Sequence, residues 1–289
     1  MTEFDLNRQG AAKYTIEDLI AVVRRLFAPD GCPWDRAQTH ESLRRNLPEE
    51  AYEAVDAIDS GRSERIADEL GDVLLQVLMH SAIAERDGEF LFDDVTDNLS
   101  RKLISRHSHV FGTDTADSPD AVLTVWDKNK MREKGHASFS ETLTDVPAGL
   151  PALMRADKLQ KRAAKAGFDW PDAAGAREKI SEELAEVEDV LLKNGKPLYE
   201  KLSAEKDAAV HREAEAEVGD LLFACVNYAR LLGIDPEIAL NRTNAKFIRR
   251  FTGVEGLAQK DGRKLDEMSL EEMDLLWDQV KKTEKSERE

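Results

Sequence analysis

Cysteine is nearly absent from this chain: Cys32 and Cys225 are the two in 289 residues. They lie in different halves, form no CxxC pair and offer no disulfide framework, so a disulfide scaffold is excluded and a reducing cytoplasm is the expected home. No apolar run approaches the roughly 20 residues that a membrane helix needs. The polar stretch Met1–Tyr14 does not read as a signal peptide. Glycine-rich phosphate loops are missing too, with neither GxGxxG nor GxxxxGK[ST] present, and there is no GxSxG elbow or paired Cys/His nucleophile. His40-Glu41 opens like HExxH, but Arg44 stands at its last position, and His107-x-His109 has no matching Cys or His cluster to complete a zinc site. Positive charge is in deficit, 41 Lys and Arg against 58 Asp and Glu, for a net charge of −17. Such a chain repels nucleic acid and anionic membranes, though metal ions and local cations can still admit a small phosphate-bearing substrate.

What the chain has in abundance is helical periodicity, with no strand-like alternation. Ala51, Ala54, Val55 and Ile58 mark one apolar stripe; Leu70, Val73, Leu74, Val77 and Leu78 mark another. Between the two segments, Gly61-Arg62-Ser63 lets the second helix fold back on the first. Glu49-Glu50-Ala-Tyr-Glu53 lies on the first segment and Glu69-Leu-Gly-Asp72 on the second. Residues three apart share a helix face, so Glu50, Glu53, Glu69 and Asp72 are placed to converge. Four carboxylates brought together repel one another unless a cation sits among them, and all-oxygen ligands suit a hard divalent ion such as Mg²⁺.

A single EExxE is commonplace on a solvated helix face. Here the whole pattern recurs: Glu182-Glu183-Leu-Ala-Glu186 is followed by Glu217-Val-Gly-Asp220, with the same glycine and the same apolar register in Val218, Leu221, Leu222, Cys225 and Val226. Recurrence at this level of detail marks an internal duplication. Helices are expected at 16–27, 37–45, 47–59, 64–86, from Asp93 or Asp94 through Ile104, 121–132, 153–166, 175–193, 212–232, 236–250 and from Ser269 on. Cys32–Asp35 is expected as a loop, echoed by Gly167–Pro171. The Gly, Ser, Thr and Pro content of 135–152 places a linker there, between domains at 1–134 and 153–289. Basic residues at helical spacing in the first half, Arg101, Lys102 and Arg106, are candidates to hold phosphates, and the helix at 236–250 carries Asn244, Lys246, Arg249 and Arg250.

These motifs carry a resemblance. Cys32-Pro-Trp34-Asp35, Glu49-Glu50-x-x-Glu53, Glu69-x-x-Asp72 and His107-Ser-His109-Val-Phe, then Gly167-Phe-Asp-Trp170, Glu182-Glu183-x-x-Glu186, Glu217-x-Gly-Asp220 and Asn244-x-Lys246-Phe-x-Arg249-Arg250-Phe, are similar to the tandem-domain MazG proteins of the all-α NTP pyrophosphatase superfamily. The resemblance spans about Ile16 to Lys281. It implies an all-α fold of two tandem helical-bundle domains, each completing a four-helix bundle by homodimerisation. It also implies Mg²⁺-dependent hydrolysis of NTPs and dNTPs to NMP and pyrophosphate, with Mn²⁺ as a substitute ion. Glu50, Glu53, Glu69 and Asp72 would then hold metal in the first domain, and Glu183, Glu186, Glu217 and Asp220 in the second. Lys179, Asn244, Lys246, Arg249, Arg250 and Trp277 would contact the nucleotide in the second, with Lys102, Arg106 and Trp126 in comparable places of the first. Glu182, or Glu49 in the first domain, would orient the attacking water at the α-phosphorus. The resemblance favours activity in the C-terminal domain. One departure is Glu213, four residues before Glu217, where such C-terminal domains can carry Lys; Arg65 holds that place in the first half, and Arg212 or His211 could substitute. The alternative is a nucleotide-binding sensor or scaffold with little hydrolysis, above all in the N-terminal half.

Overall fold

A computed structural model describes residues 13–135, 138–198, 201–203 and 206–286. The stretch Met1–Ala12, expected to be no leader, lies outside them, as do His136 and Ala137 of the expected linker. The described residues form helices joined by turns and loops, with no strand among them, and fall into two compact units that divide between Glu133 and Lys134. No helix among them is long and apolar enough to cross a membrane.

The first unit opens with α1 (Ile16–Phe27). Thr15 caps it: its hydroxyl accepts from the Asp18 N–H, while the Asp18 carboxylate accepts from the Thr15 N–H. Where a loop was expected, Pro33 at the first helical position starts a single turn, α2 (Pro33–Arg36), which leaves Trp34 60% exposed. The expected helix 37–45 is reduced to α3 (His40–Leu43), which drives Leu43 into the core. There the His40 ring stacks on His80, with their Nδ1 atoms 2.7 Å apart. α4 (Asn46–Ser60) and α5 (Ser63–Asp87) form the expected antiparallel hairpin. Gly61 makes the reversal possible at φ 68°, a backbone shape that a side chain disfavours. Val23, Leu43, Leu78, Met79, Ala82 and Ile83 form the core between α1, α3 and α5. α6 (Phe92–Arg106), α7 (Ser108–Phe111) and α8 (Pro119–Lys134) complete the unit.

The second unit begins inside the segment expected to be a linker. α9 (Phe139–Thr144) forms there, Val146 is buried beside it, and the Thr142 carbonyl accepts from Arg162 on α10 (Ala152–Lys165). α11 (Ala173–Lys193) and α12 (Ala208–Leu231) make the second hairpin. α12 starts four residues before the expected 212, after an insertion stabilised by Lys196, which pairs with Asp207 at 2.5 Å. α13 (Pro236–Lys260) runs ten residues past the expected 250, because Val254 and Ala258 pack against Leu276 of α14 (Leu270–Ser286).

The apolar stripes of the two hairpins are only partly buried. Ala54, Leu78 and Val226 are inside, whereas Val55, Ile58, Leu70, Val218 and Leu222 are each more than 40% exposed.

Candidate functional site

The 3.6-residue period of α4 and α5 puts Glu50 opposite Glu69 and Asp72 across the first hairpin. One carboxylate oxygen of each lies within 4.8 Å of the others. Glu53 and Glu49 are exposed and stand outside this trio. Burial raises the Glu50 pKa above the usual glutamate range, and the charges of Asp72, Glu53, Glu49 and Glu69 push it the same way. The Gln76 amide, buried at 5%, reaches Glu50 at 3.5 Å. Arg65 pairs with this trio, its guanidinium 3.6 Å from Glu69.

In the second hairpin the trio is Glu183, Glu186 and Glu217, again with one oxygen from each within 4.8 Å. Asp220 stands outside the trio but shares a cavity wall with Glu183. Glu183 is buried, with 6% of its side chain exposed, and its cation is Lys179, 2.5 Å away and one helical turn earlier. Lys179 also reaches Glu182 at 3.0 Å, and hydrogen bonds to Glu183 and then Glu182 hold its pKa well above the lysine range. Burial, followed by a hydrogen bond with Glu183 and that residue's charge, raises the Glu186 pKa.

The two hairpins therefore balance their acids from opposite helices. The place of Lys179 is taken by Asn46 in the first unit, and the place of Arg65 by Glu213 in the second. Glu213 turns to Lys193 at 3.1 Å, while His211 is 4.0 Å from Glu215. Neither brings a cation to Glu217.

A cavity of about 650 Å³ opens beside the second acid cluster. Its lining repeats along the helices at helical spacing: Lys179 and Glu183 on α11; Asp220, Phe223, Ala224, Asn227 and Arg230 on α12; Leu159, Gln160 and Ala163 on α10. Leu143 of α9 and the Gly167–Trp170 loop supply the rest. Trp170 lies flat enough on α11 that a Cβ at Gly175 would come within 2.6 Å of its ring. Asp169 receives the Arg230 guanidinium, which holds its carboxyl below the usual range. Trp170 lies in the stretch Gly167–Pro171, which the sequence marked as an echo of Cys32–Asp35. Gln160, Asn227 and Arg230 were not singled out, although Asp220, Ala224 and Asn227 fall at i, i+4 and i+7 on one helix face.

The expected phosphate-binding residues of α13 stand in a separate group. Arg249 and Arg250 both donate to Glu284, at 2.8 and 2.9 Å, and Arg250 lies over the Trp277 ring at 5.9 Å. Asn244 and Lys246 precede them on the same helix. None of these four, nor Trp277, lines the cavity. The first unit builds the same arrangement: Arg106 lies 5.4 Å over Trp126 and donates to Glu133 at 2.8 Å. In each unit the glutamate follows the tryptophan by seven residues, two helical turns. Lys102 is exposed, one turn before Arg106.

Fold and site together define a class: all-α proteins in which antiparallel helices gather clustered carboxylates fit for a hard cation. Residues 38–111 match the MazG nucleotide pyrophosphohydrolase domain. Over 265 residues the chain is 42% identical to the nucleoside triphosphate pyrophosphohydrolase/pyrophosphatase MazG of Thermotoga maritima, covering 92% of this chain and 95% of that one. It is 40% identical over 270 residues to the nucleoside triphosphate pyrophosphohydrolase of Escherichia coli K12, covering 93% and 98% respectively. A Bacillus subtilis protein, the uncharacterized protein YabN, is 46% identical over 265 residues, which make up 51% of its length. The chain belongs to the MazG family.

Proposed function

We propose that this chain hydrolyses nucleoside triphosphates, ribo- or deoxyribo-, to the monophosphate and pyrophosphate, and that the second unit does the work. The observation that carries this reading is the trio Glu183, Glu186 and Glu217 set beside a cavity that also takes in Lys179 and Asp220. The names of the Thermotoga and Escherichia relatives support the same activity.

The donor set fits a divalent metal. It is all oxygen, and one carboxylate oxygen from each of Glu183, Glu186 and Glu217 lies within 4.8 Å of the others. Glu183, Glu186, Glu217 and Asp220 would hold it, with Glu50, Glu53, Glu69 and Asp72 the counterparts in the first unit. Mg²⁺, or Mn²⁺ in its place, would supply charge neutralisation for the phosphates and an acidified water. Glu182, exposed next to Glu183, accepts the proton of the water that attacks the α-phosphorus. Lys179 exchanges its contact with Glu182 for a phosphate oxygen, which releases Glu182 for that task. Lys246, Arg249 and Arg250, with Asn244 and Trp277 beside them, answer the charge of the departing pyrophosphate. Removing metal with EDTA is expected to stop pyrophosphate release, and excess Mg²⁺ to restore it; turnover that persists in EDTA contradicts the reading.

A homodimer is part of the proposal. Gly71 and Gly219, the repeated glycines, have open space where a side chain would project, and exposed Leu70, Val218 and Leu222 stand next to or near them. A second copy would cover these faces and use the bare backbone for close approach. The enzyme would work in the cytoplasm, consistent with its two unpaired cysteines.

For the first unit a second reading has an observation in its favour. Asn46 stands where Lys179 stands in the other hairpin, so the unit keeps its acids but lacks the lysine that would follow the phosphate. A nucleotide-binding sensor or scaffold role suits that substitution. Lys102 and Arg106 would contact the bound phosphates there, with Glu49 in the place of Glu182.

A further inference from the structure

Glu284, in the last turn of α14, takes one arginine on each of its carboxylate oxygens. Oε1 accepts from Nε of Arg249 at 2.8 Å, and Oε2 from Nε of Arg250 at 2.9 Å. The Glu284 side chain is 17% exposed, and the two hydrogen bonds hold its carboxyl below the usual glutamate range. A guanidinium donates along more than one edge. Held at Nε alone, each arginine keeps the edge formed by its two Nη groups, and no described residue accepts from those groups. Arg250 is further fixed by the Trp277 ring at 5.9 Å, and Phe247 packs on that ring at 5.5 Å. Two guanidiniums against one carboxylate leave one positive charge in excess, within a chain whose net charge is −17. Lys246 stands one turn before the pair on the same helix. The first unit shows the same parts without the second arginine. Ser105 stands where Arg249 would be, and Glu133 closes on Arg106 through both Nε at 2.8 Å and Nη2 at 2.9 Å, one charge against one.

We infer that Glu284 is a positioning residue of the second unit: it bridges Arg249 and Arg250 so that their Nη edges stay open, side by side, as a fork for a phosphate group. The inference rests on the pyrophosphohydrolase reading and deepens it. A long arginine side chain loses rotamer freedom when it grips an anion; one already held at Nε has lost it beforehand. The same carboxylate carries a negative charge, which repels phosphate. The two effects of Glu284 therefore oppose each other, and the sign of a substitution separates them. If Glu284 were only a counter-charge, removing its charge would tighten phosphate binding. As a positioning residue, its loss weakens binding although the site becomes more positive. Glutamine makes the distinction at nearly constant shape: its single oxygen accepts from one Nε, and its NH₂ meets the other Nε as donor against donor.

The test follows AMP formation from ATP with Mg²⁺ in the full chain, and its inhibition by added inorganic pyrophosphate. Glu284→Gln is expected to raise KM for ATP and Ki for pyrophosphate at least about fivefold each, with kcat within about twofold of the wild-type value. Glu133→Gln, the same change in the first unit, is expected to leave both constants where they are. A KM that is unchanged or lower in Glu284→Gln overturns the inference while the pyrophosphohydrolase reading stands, and so does a Glu133→Gln protein whose KM rises as far. A wild-type chain that forms no AMP overturns both. Should Glu284→Gln fail to fold, Arg249→Lys decides. It keeps the positive charge but puts one ammonium in place of the Nη edge, and a KM equal to the wild-type value overturns the inference.

Discussion

The ammonium of Lys179 lies 2.5 Å from Glu183, one turn away on α11, and that carboxylate is the most deeply buried of the acid cluster. A buried charge must be paired, and Lys179 supplies that pairing for Glu183, so a bound cation would compete for the same carboxylate. Lys179→Met is expected to lower the Tm of the metal-free chain and to have less effect on Tm when Mg²⁺ is present. Its kcat/KM is expected to fall about a hundredfold through loss of a phosphate contact. Equal Tm changes with and without Mg²⁺ would show that the lysine and the metal do not compete for Glu183.

Glu186 and Glu50 give a pH dependence whose sign can be worked out. Burial raises both pKa values above the ordinary glutamate range. The folded chain therefore binds these protons more tightly than the unfolded chain, so each group costs stability as pH rises from about 4.3 through its shifted value. Without metal, Glu186→Gln is expected to raise Tm at pH 8 and to change it little at pH 4. The same substitution is expected to weaken the rise in Tm that Mg²⁺ produces, since the amide contributes no charge. Calorimetry at the two pH values, with and without Mg²⁺, checks both parts; a stabilising effect confined to pH 4 would reverse the sign and defeat the account.

Arg250, over Trp277 and tied to Glu284, is expected to act on binding more than on chemistry. Arg250→Ala should raise KM for the triphosphate about tenfold, the worth of one charge-assisted hydrogen bond, with a smaller change in kcat. Loss confined to kcat would remove Arg250 from substrate binding.

How far the sequence could be read depended on whether the signal was local. The two hairpins and their acids follow from the 3.6-residue period and its repetition, both contained within short stretches. Glu50, Glu69, Asp72, Glu183, Glu186 and Glu217 cluster where that period puts them. α9 was hidden because its cause is distant: the turn-rich stretch from 135 is held in place by Arg162, twenty residues beyond Thr142. α13 outran its expected end because a contact with Leu276 on another helix decides where it stops. Gln160 was hidden for the same reason: an amide in a basic helix carries no mark of its own, and its contact is with the Phe223 carbonyl on another helix.

The exposed apolar residues of the hairpins lead to a prediction about assembly. In solution the protein is expected to sediment at twice the chain's 32.4 kDa or more, and Leu222→Glu, at a position 53% exposed in the single chain, to weaken that association. A monomer at micromolar concentration would remove the dimer from the account.

The most direct test of the central claim separates the two hairpins by their products. Glu217→Gln with Asp220→Asn disarms the second unit, and Glu69→Gln with Asp72→Asn disarms the first; each is given a nucleoside triphosphate and Mg²⁺, and the products are resolved. The expected result is monophosphate and pyrophosphate from the wild-type chain, a loss of at least about a hundredfold from the second-unit variant, and substantial turnover from the first-unit variant. Release of orthophosphate, or undiminished pyrophosphate release after the second unit is disarmed, would contradict it.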